Sequence, residues 1–218
     1  MRLREIMRLV EAGGETAGKK EVAQTSLKKA IKYFTKQMDK LGMDLYEEIP
    51  NFDKNYKKLR KLVKNHGEEH RKDMPVVSWR QVKDFQKSLH NGDLDIQNPF
   101  NENLLMEINM EGNADKVKAQ FKSIKAKDLK PVQAQIYLSK VIKNFKKYGI
   151  PHNSHFITTK YMIIDKNNRI IDGHHRWTTV MIADPDIKID LLKVDLDMEE
   201  LLPLTKAYGI SRGNKQNS

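Results

Sequence analysis

The side chains best suited to chemistry stand in one short string, Asp172-Gly173-His174-His175-Arg176, between an apolar run and a helical pattern. The N-terminus of a helix presents unpaired backbone N–H groups and a partial positive charge, and it therefore binds phosphate readily. Gly173 carries no side chain that would block a close approach of the backbone. Arg176 can hold two phosphate oxygens at once, which a lysine cannot do. The string therefore predicts a phosphate site at the start of a helix.

A simpler interpretation of the same string is that Asp172 only caps the helix while the two histidines lie on the surface. Two adjacent histidines and an arginine in one helical turn form an unfavourable concentration of positive charge unless an anion lies nearby. This crowding favours the phosphate site over the simple cap.

The segments around the string predict a compact α/β unit. Residues 161–164 and 169–171 flank Lys166-Asn167-Asn168 and predict a β-hairpin. A helix is expected over residues 174–183, since Asp184-Pro185 ends it. The pattern predicts four further elements: a strand at 121–125, a helix at 133–148, a strand at 187–196 and a short helix from Met198 towards Leu202.

The first 75 residues read as a helical region, with apolar residues at helical spacing. Helices are predicted at 2–11, at about 22–41 and around 56–63, and a short one from Trp79 to Leu89. Residues 76–115 form a mixed connecting region, in which 94–99 and 104–110 are expected to be extended. Residues 206–218 are expected to be a polar tail.

The charge balance points to a polyanionic partner. The 218 residues include 40 Lys and Arg against 29 Asp and Glu, a formal net charge of +11. The basic residues concentrate in residues 116–147, where Lys125, Lys127 and Lys130 are candidate contacts for DNA. Trp177 is a candidate for stacking on a base. A solvated lysine-rich helix face is the alternative explanation of the same charge.

Several classes of protein are excluded or disfavoured by composition. The chain has no cysteine, which excludes disulfides, thiolate metal sites and a cysteine nucleophile. No run reaches the roughly 18 apolar residues of a membrane span, and the N-terminus lacks the apolar core of a secretory signal. We therefore expect a cytoplasmic protein without a membrane partner. The oligomeric state stays open.

The hairpin followed by DGHHRW, together with IKAKDLKPVQ at 124–133, resembles the ParB/sulfiredoxin-like superfamily. The resemblance spans residues 120–201 and implies a small mixed sheet with helices, a domain over 116–205. It implies that Gly173, His174, His175 and Arg176 contact phosphate. It also implies that Asp172 holds a metal such as Mg²⁺, acts as a base or fixes the turn.

Members of this superfamily differ in the reaction that they carry out on phosphate. The residues of this chain can be compared with those of three groups of members. Sulfiredoxins carry a cysteine where His174 stands, so that activity is excluded. Partition proteins that bind CTP have a Glu-Arg-Arg turn, from which His-His-Arg departs. Free-serine kinases have an Asp-Gly-His-His turn but a glutamate where Gln133 stands, and glutamine cannot act as a general base.

The expected function is thus nucleotide or nucleic-acid phosphate chemistry. The protein would be a nuclease, an NTP hydrolase or a phosphotransferase, with ATP, ADP or CTP and Mg²⁺ as cofactors. Its catalytic residues would be Asp172, His174 as an acid or base near neutral pH, and Gln133. The alternative is a non-enzymatic DNA-binding or virion-associated protein that has kept the turn without its chemistry.

Two further motifs suggest other functions. His66-Gly67-Glu68-Glu69-His70 matches the inverted zinc-peptidase pattern, although Gly67 weakens a helix there and a solvated helix end explains it better. Residues 1–11 end in Leu9-Val10-Glu11 and resemble the capsid-targeting segments of internal head proteins in T-even-type bacteriophages. An ordinary N-terminal helix is the alternative for this second motif.

Overall fold

The computed structural model describes residues 20–91 and 117–215. Within them lie five strands: β1 (Ala119–Lys125), β2 (Lys130–Pro131), β3 (Met162–Ile164), β4 (Arg169–Asp172) and β5 (Lys188–Val194). The helices are α1 (Leu27–Asp39), α2 (Leu45–Glu48), α3 (Phe52–His66), α4 (Val82–Asn91), α5 (Leu138–Tyr148), α6 (Phe156–Thr159), α7 (His174–Ala183) and α8 (Met198–Ser211). The predictions for 1–11, 94–99 and 104–110 fall outside the described residues.

The five strands form one mixed sheet in the order β1-β5-β3-β4-β2. β1 pairs antiparallel with β5, and β3 pairs antiparallel with β4, while β3 with β5 and β2 with β4 are parallel. This arrangement confirms the predicted class, a mixed α/β fold with helices before the sheet. β2 is only two residues long, but its pairing with β4 directs the chain after Pro131 towards the end of β4.

The predicted hairpin and the helix after it are confirmed, and a buried carboxylate holds the hairpin turn. Asp165 has no exposed surface and accepts hydrogen bonds from the backbone N–H groups of Asn167 and Arg169, at 2.8 and 2.7 Å. The Arg169 side chain bonds the same carboxylate. Because β4 starts at a fixed turn, the position of its far end, Asp172, is fixed as well.

Helices cover both faces of the sheet. Alternate strand residues, including Met162, Ile164 and Ile170, pack on one face with α1, α3, α5 and α7. Ile163 and Ile171 point to the other face, where α4 and α8 cover them. The described part of the helical region, residues 20–75, is therefore not a separate body, since α1, α2 and α3 share a core with the α/β unit.

The helix expected over about 22–41 spans Leu27–Asp39, and two further boundaries were wrong for a tertiary reason. The helix expected from residue 133 begins at Leu138, because the preceding segment makes isolated strand-like bridges, Gln133 with Glu69 and Tyr137 with Glu21. The polar tail expected from residue 206 begins in α8, whose Tyr208 is buried against Phe85 with ring centroids 4.8 Å apart.

The length of α8 was missed because Pro203 and Gly209 both read as breaks. Gly209 is needed for packing: a Cβ there would lie 2.5 Å from the carbonyl oxygen of Val76. The same oxygen accepts a hydrogen bond from Nδ2 of Asn214 at 2.8 Å. The end of α8 thus fixes the segment that contains Val76.

None of the helices over 20–91 and 117–215 combines the length and the apolar content needed to cross a membrane.

Candidate functional site

A cavity of about 300 Å³ opens at the start of α7. Its floor is formed by residues 171–176, the end of β4 and the first turn of the helix. Gln133, Arg71 and residues 74–79 line the rest of the cavity. The cavity therefore joins the predicted string to a segment that precedes α4.

α7 starts in a conformation that requires glycine. Gly173, the N-cap residue, has φ +109°, and a Cβ there would lie 2.6 Å from the Met162 side chain. The first intrahelical bond is donated by Trp177 to the Gly173 carbonyl, at 2.9 Å. No side chain in the described structure caps this helix. The first amides of α7 thus lie at the cavity floor without a capping oxygen.

His174 is held as a neutral, hydrogen-bonded residue. It is 3% exposed, and its Nε2 accepts bonds from the backbone N–H groups of Val132 and Gln133, both at 3.2 Å. An imidazole that accepts at Nε2 carries its proton on Nδ1. Burial, with a smaller contribution from His175, lowers the pKa of His174 to about 3. This pKa weighs against the predicted acid-base role near neutral pH and makes His174 a positioning residue.

His175, like His174, accepts a hydrogen bond from the backbone. Its Nε2 accepts a bond from the backbone N–H of Tyr137 at 3.3 Å. Burial lowers the pKa of His175 to about 4, helped by the positive charges of Arg71 and Lys140. Each histidine therefore ties α7 to the chain between β2 and α5, and each is neutral at pH 7.

Arg176 is engaged within the protein. Its Nη1 donates to the carbonyl oxygens of Lys160 and Tyr161, at 2.8 and 3.3 Å, and its Nη2 donates to Oδ2 of Asp172 at 3.3 Å. A guanidinium with these partners is not free to clamp two phosphate oxygens as the sequence suggested. Its main effect is to join the beginning of β3 to the end of β4.

Asp172 is the one carboxyl group that lines the cavity within the described residues, and its pKa lies near neutrality. Burial raises the pKa of Asp172 to about 6, although Arg176 and a backbone bond from Gly173 act in the opposite direction. Its side chain is 18% exposed, so solvent reaches it from the cavity. Asp172 can therefore gain or lose a proton close to physiological pH.

Gln133 is brought to the cavity as predicted, although it lies more than 35 residues from the string. It is 4% exposed, and its side-chain Nε2 donates to the carbonyl oxygen of Gln135. Gln133 thus shapes the side of the cavity rather than extending freely into it.

The predicted nucleic-acid contacts lie away from this cavity. Lys125 and Lys127 pair with Asp186 at 3.0 and 2.7 Å, beyond the far end of α7. The ten residues of α7 span about 15 Å, which separates them from the cavity. Lys130 is exposed at the opposite end of β4 from Asp172.

The prediction that Trp177 stacks on a base is wrong. Its ring has no exposed surface, and its Nε1 donates to the carbonyl oxygen of Ala126 at 2.8 Å. Trp177 is a core residue on the inner face of α7.

The wall formed by residues 74–79 was not predicted from the sequence. The only signal for it was Gly67, where a Cβ would lie 2.9 Å from Cα of Ala134 and 3.0 Å from the Gln133 carbonyl oxygen. This close approach lets the chain after α3 pair with residues 132–134 and then cross the start of α7.

The zinc-peptidase pattern does not form a metal site. α3 ends at His66, so His66, Glu69 and His70 do not share a helix. In the part of the chain that the structure describes, no group of three or more His, Asp or Glu side chains could hold a metal ion.

No protein-family model, curated protein or solved structure matches this chain. The resemblance to the ParB/sulfiredoxin-like superfamily therefore stays a prediction.

Proposed function

We propose that the cavity binds a phosphate group of a nucleotide or of a nucleic-acid strand at the N-terminus of α7. The observation that carries the proposal is the start of α7, which lies at the cavity floor behind a glycine N-cap with no capping side chain. Its first amides are donors without a side-chain acceptor, and an anion is the partner that such a terminus favours.

The charge around the cavity supports an anionic ligand. Arg71 lines the cavity, and its charge is close enough to His175 to lower that residue's pKa. Both histidines are neutral, so they supply no competing charge, and their rings fix the backbone that surrounds the anion. The chain's net charge of +11 adds a long-range attraction for any polyanion.

Cleavage or transfer of the bound phosphate is the enzymatic form of this proposal. Asp172 is the group we assign to the proton transfer, because its pKa of about 6 lets its carboxylate accept a proton from an attacking water or hydroxyl as the new P–O bond forms. The P–O bond to the leaving group breaks, and the leaving oxygen departs with the electron pair and takes a proton from solvent. Asp172 is the one carboxylate that lines the cavity within the described residues, and it is paired with Arg176. A single paired carboxylate is a poor donor set for Mg²⁺, so the described residues that line the cavity do not fit this metal ion.

Binding without catalysis is a second candidate, and a specific observation favours it. Three of the side chains expected to act on phosphate are engaged within the protein, His174 and His175 with backbone amides and Arg176 with Asp172 and two carbonyl groups. In this candidate the protein is a basic nucleic-acid-binding protein in which the backbone alone holds a phosphate.

The test is thermal unfolding with ATP, ADP, CTP, GTP and a 12-nucleotide DNA, with and without Mg²⁺. A ligand at about 100 times its Kd stabilises by roughly 2.7 kcal/mol, which raises the Tm by about 5–10 °C for a chain of this size. Arg71→Gln should weaken binding about tenfold, as expected for loss of a charge-assisted contact.

Lys72→Gln is the matched control, because it removes the same charge from the adjacent exposed residue, which does not line the cavity. Its affinity should stay within twofold of wild type. Equal losses in both variants would show that only net charge matters and would overturn the cavity assignment.

A release assay separates the two candidates. Asp172→Asn keeps an oxygen for Arg176 but cannot take up the proton, so it should bind within threefold of wild type and release no phosphate or cleaved strand. Wild-type protein that binds but shows no turnover would favour binding without catalysis.

A further inference from the structure

Next to the cavity lies a cluster of three aromatic rings and three cationic side chains, which we term the aromatic platform. The rings of Tyr148 and Phe156 are stacked with centroids 4.9 Å apart, and Trp79 meets Phe156 edge-to-face at 6.1 Å. Lys160 lies over both the Trp79 and the Phe156 rings, at 4.2 and 4.9 Å from their centroids. The other two cations are Lys147, 4.8 Å from the Tyr148 ring, and Arg80, 5.2 Å from the Trp79 ring.

The apolar ring of Phe156 is largely exposed to solvent, which is unfavourable for such a side chain. It is 42% exposed and is one of two large hydrophobic side chains in the described residues with so much surface in water, Tyr46 being the other. A single exposed ring is common, but three contiguous rings under three cations are not accounted for by packing alone.

The platform continues directly from the cavity. Trp79 lines the cavity wall, and the carbonyl oxygen of Lys160 accepts a hydrogen bond from Arg176, which lines the floor. A ligand group at the start of α7 would therefore have the platform as its nearest aromatic surface.

The cations of the platform are available to a ligand. Within the described residues Lys147, Lys160 and Arg80 form no salt bridge, and each lies over a ring. Exposed cation–π contacts are weaker than the stacking of a base on an aromatic ring. A base can thus replace a lysine on a ring while the released ammonium group pairs with a phosphate.

We propose that the aromatic platform stacks the unpaired bases of a single-stranded polynucleotide, one phosphate of which occupies the cavity at the start of α7. This inference rests on the proposed function and specifies its substrate class as a polymer rather than a free nucleotide. Rings that bind by their faces select single strands, because the bases of a duplex are already stacked on each other. The platform supplies stacking and charge but no pattern of donors and acceptors, so binding depends little on base sequence.

The test compares two 12-nucleotide strands with the same number of phosphates, one with bases and one abasic, by fluorescence anisotropy. Wild type should prefer the strand with bases. Phe156→Ala should weaken binding of that strand by roughly 5- to 100-fold, the range for loss of one stacked base, and should leave the abasic strand unchanged. Tyr46→Ala is the matched control, since Tyr46 is equally exposed, at 44%, and lies outside the platform.

Intrinsic fluorescence gives a second readout. The chain has two tryptophans, and Trp177 is fully buried, so quenching by a bound strand reports on Trp79. The strand with bases should quench the emission, and the abasic strand should not.

Three outcomes are distinguishable. If Phe156→Ala behaves like Tyr46→Ala, or if the abasic strand binds as well as the normal one, the platform proposal is overturned while the cavity proposal stands. If Arg71→Gln leaves binding of both strands unchanged, the cavity proposal fails. A base-dependent loss in Phe156→Ala together with an equal loss for both strands in Arg71→Gln supports the two together.

Discussion

α7 borders one cavity at each of its ends, and the two ends differ in what they offer a ligand. At the C-terminal end Nδ2 of Asn55 donates to the carbonyl oxygens of Ile182 and Ala183, at 3.0 and 3.2 Å, and so caps the helix. The cavity there is about 630 Å³, twice the volume of the one at the N-terminal end. At the N-terminal end no capping side chain is present among the described residues, and Gly173 exposes the first amides.

The difference shows why cavity volume does not identify the site. The larger cavity contains lysines, but Lys127 is paired with Asp186, and the partial charge of a helix C-terminus is negative. The smaller cavity has uncapped amides, a titratable carboxylate at Asp172 and Arg71 at its edge. A phosphate is therefore expected at the smaller cavity. Substitutions at the two ends of α7 should accordingly differ in their effect on phosphate binding.

The largest effect is expected for Gly173→Ala. The φ of +109° is strained for alanine, and the added Cβ would lie 2.6 Å from the Met162 side chain, so we expect a loss of about 3 kcal/mol of stability. Phosphate binding should fall as well, because the first amides of α7 must shift. Urea denaturation and nucleotide titration measure the two effects.

Gly42→Ala is the control for backbone strain. Gly42 also has a positive φ, +71°, but nothing lies within 4 Å of its Cβ position. It should lose about 1–2 kcal/mol and keep its ligand affinity. Equal behaviour of the two variants would contradict the role given to the start of α7.

At the other end of the helix, Asn55→Ala should lose about 2 kcal/mol, because two carbonyl groups, at least one of them buried, lose their donor. Its affinity for nucleotide should not change. A variant that is destabilised and also binds more weakly would show that the two ends are coupled, contrary to the contrast drawn above.

The stability of the protein is expected to depend on pH through His174. The pKa of His174 is about 3 in the folded protein and near 6.5 when unfolded, so the unfolded chain takes up a proton that the folded chain does not. This contribution is complete above pH 6.5 and is lost as the pH falls towards 3. His174→Gln should therefore reduce the slope of unfolding free energy against pH by about 1.4 kcal/mol per pH unit within that window.

The pKa of Asp172 changes the stability of the protein with pH in the direction opposite to that of His174, so the two residues can be compared as an internal control. Its folded pKa of about 6 lies above its ordinary value, so its contribution to stability falls as the pH rises from about 4 to 6. Asp172→Asn should steepen the rise of stability with pH in this range, while His174→Gln flattens it. Changes of the same sign in both variants would refute these protonation states.

Among the substitutions expected to weaken binding, the smallest loss of affinity is expected for Gly209→Ala. A Cβ at 209 would lie 2.5 Å from the Val76 carbonyl oxygen and push the cavity wall, although alanine favours the helix. Because the atom it would meet belongs to the backbone, stability should fall by about 1–3 kcal/mol, and nucleotide affinity should fall about threefold. Gly213→Ala, whose Cβ position is open, should leave the affinity unchanged.

The sequence predicted the hairpin and α7, because these depend on local periodicity and on a turn that only glycine permits. That Gln133 lies near the Asp172–Arg176 string was expected only from the resemblance to the superfamily. It did not predict which hydrogen bonds the side chains of the string form. The hydrogen bonds that His174 accepts from the backbone N–H groups of residues 132 and 133 depend on the distant pairing of β2 with β4, which no local pattern encodes.

The second wall of the cavity was missed for the same reason. Residues 74–79 have no regular periodicity, and their position depends on Gly67 and Gly209, each of which reads locally as a break. Trp79, rather than Trp177, is the tryptophan that reaches the cavity, and only the tertiary structure distinguishes them.

An NMR titration of the ¹⁵N-labelled protein with ATP, CTP and the 12-nucleotide strand locates a bound phosphate directly. If phosphate binds at the start of α7, the amide signals of His174, His175 and Arg176 should shift in a saturable way. The amides of Ala183, Asp184, Asp186 and Ile187, at the larger cavity, should not shift. Saturable shifts at these amides without any at 174–176 would contradict the account.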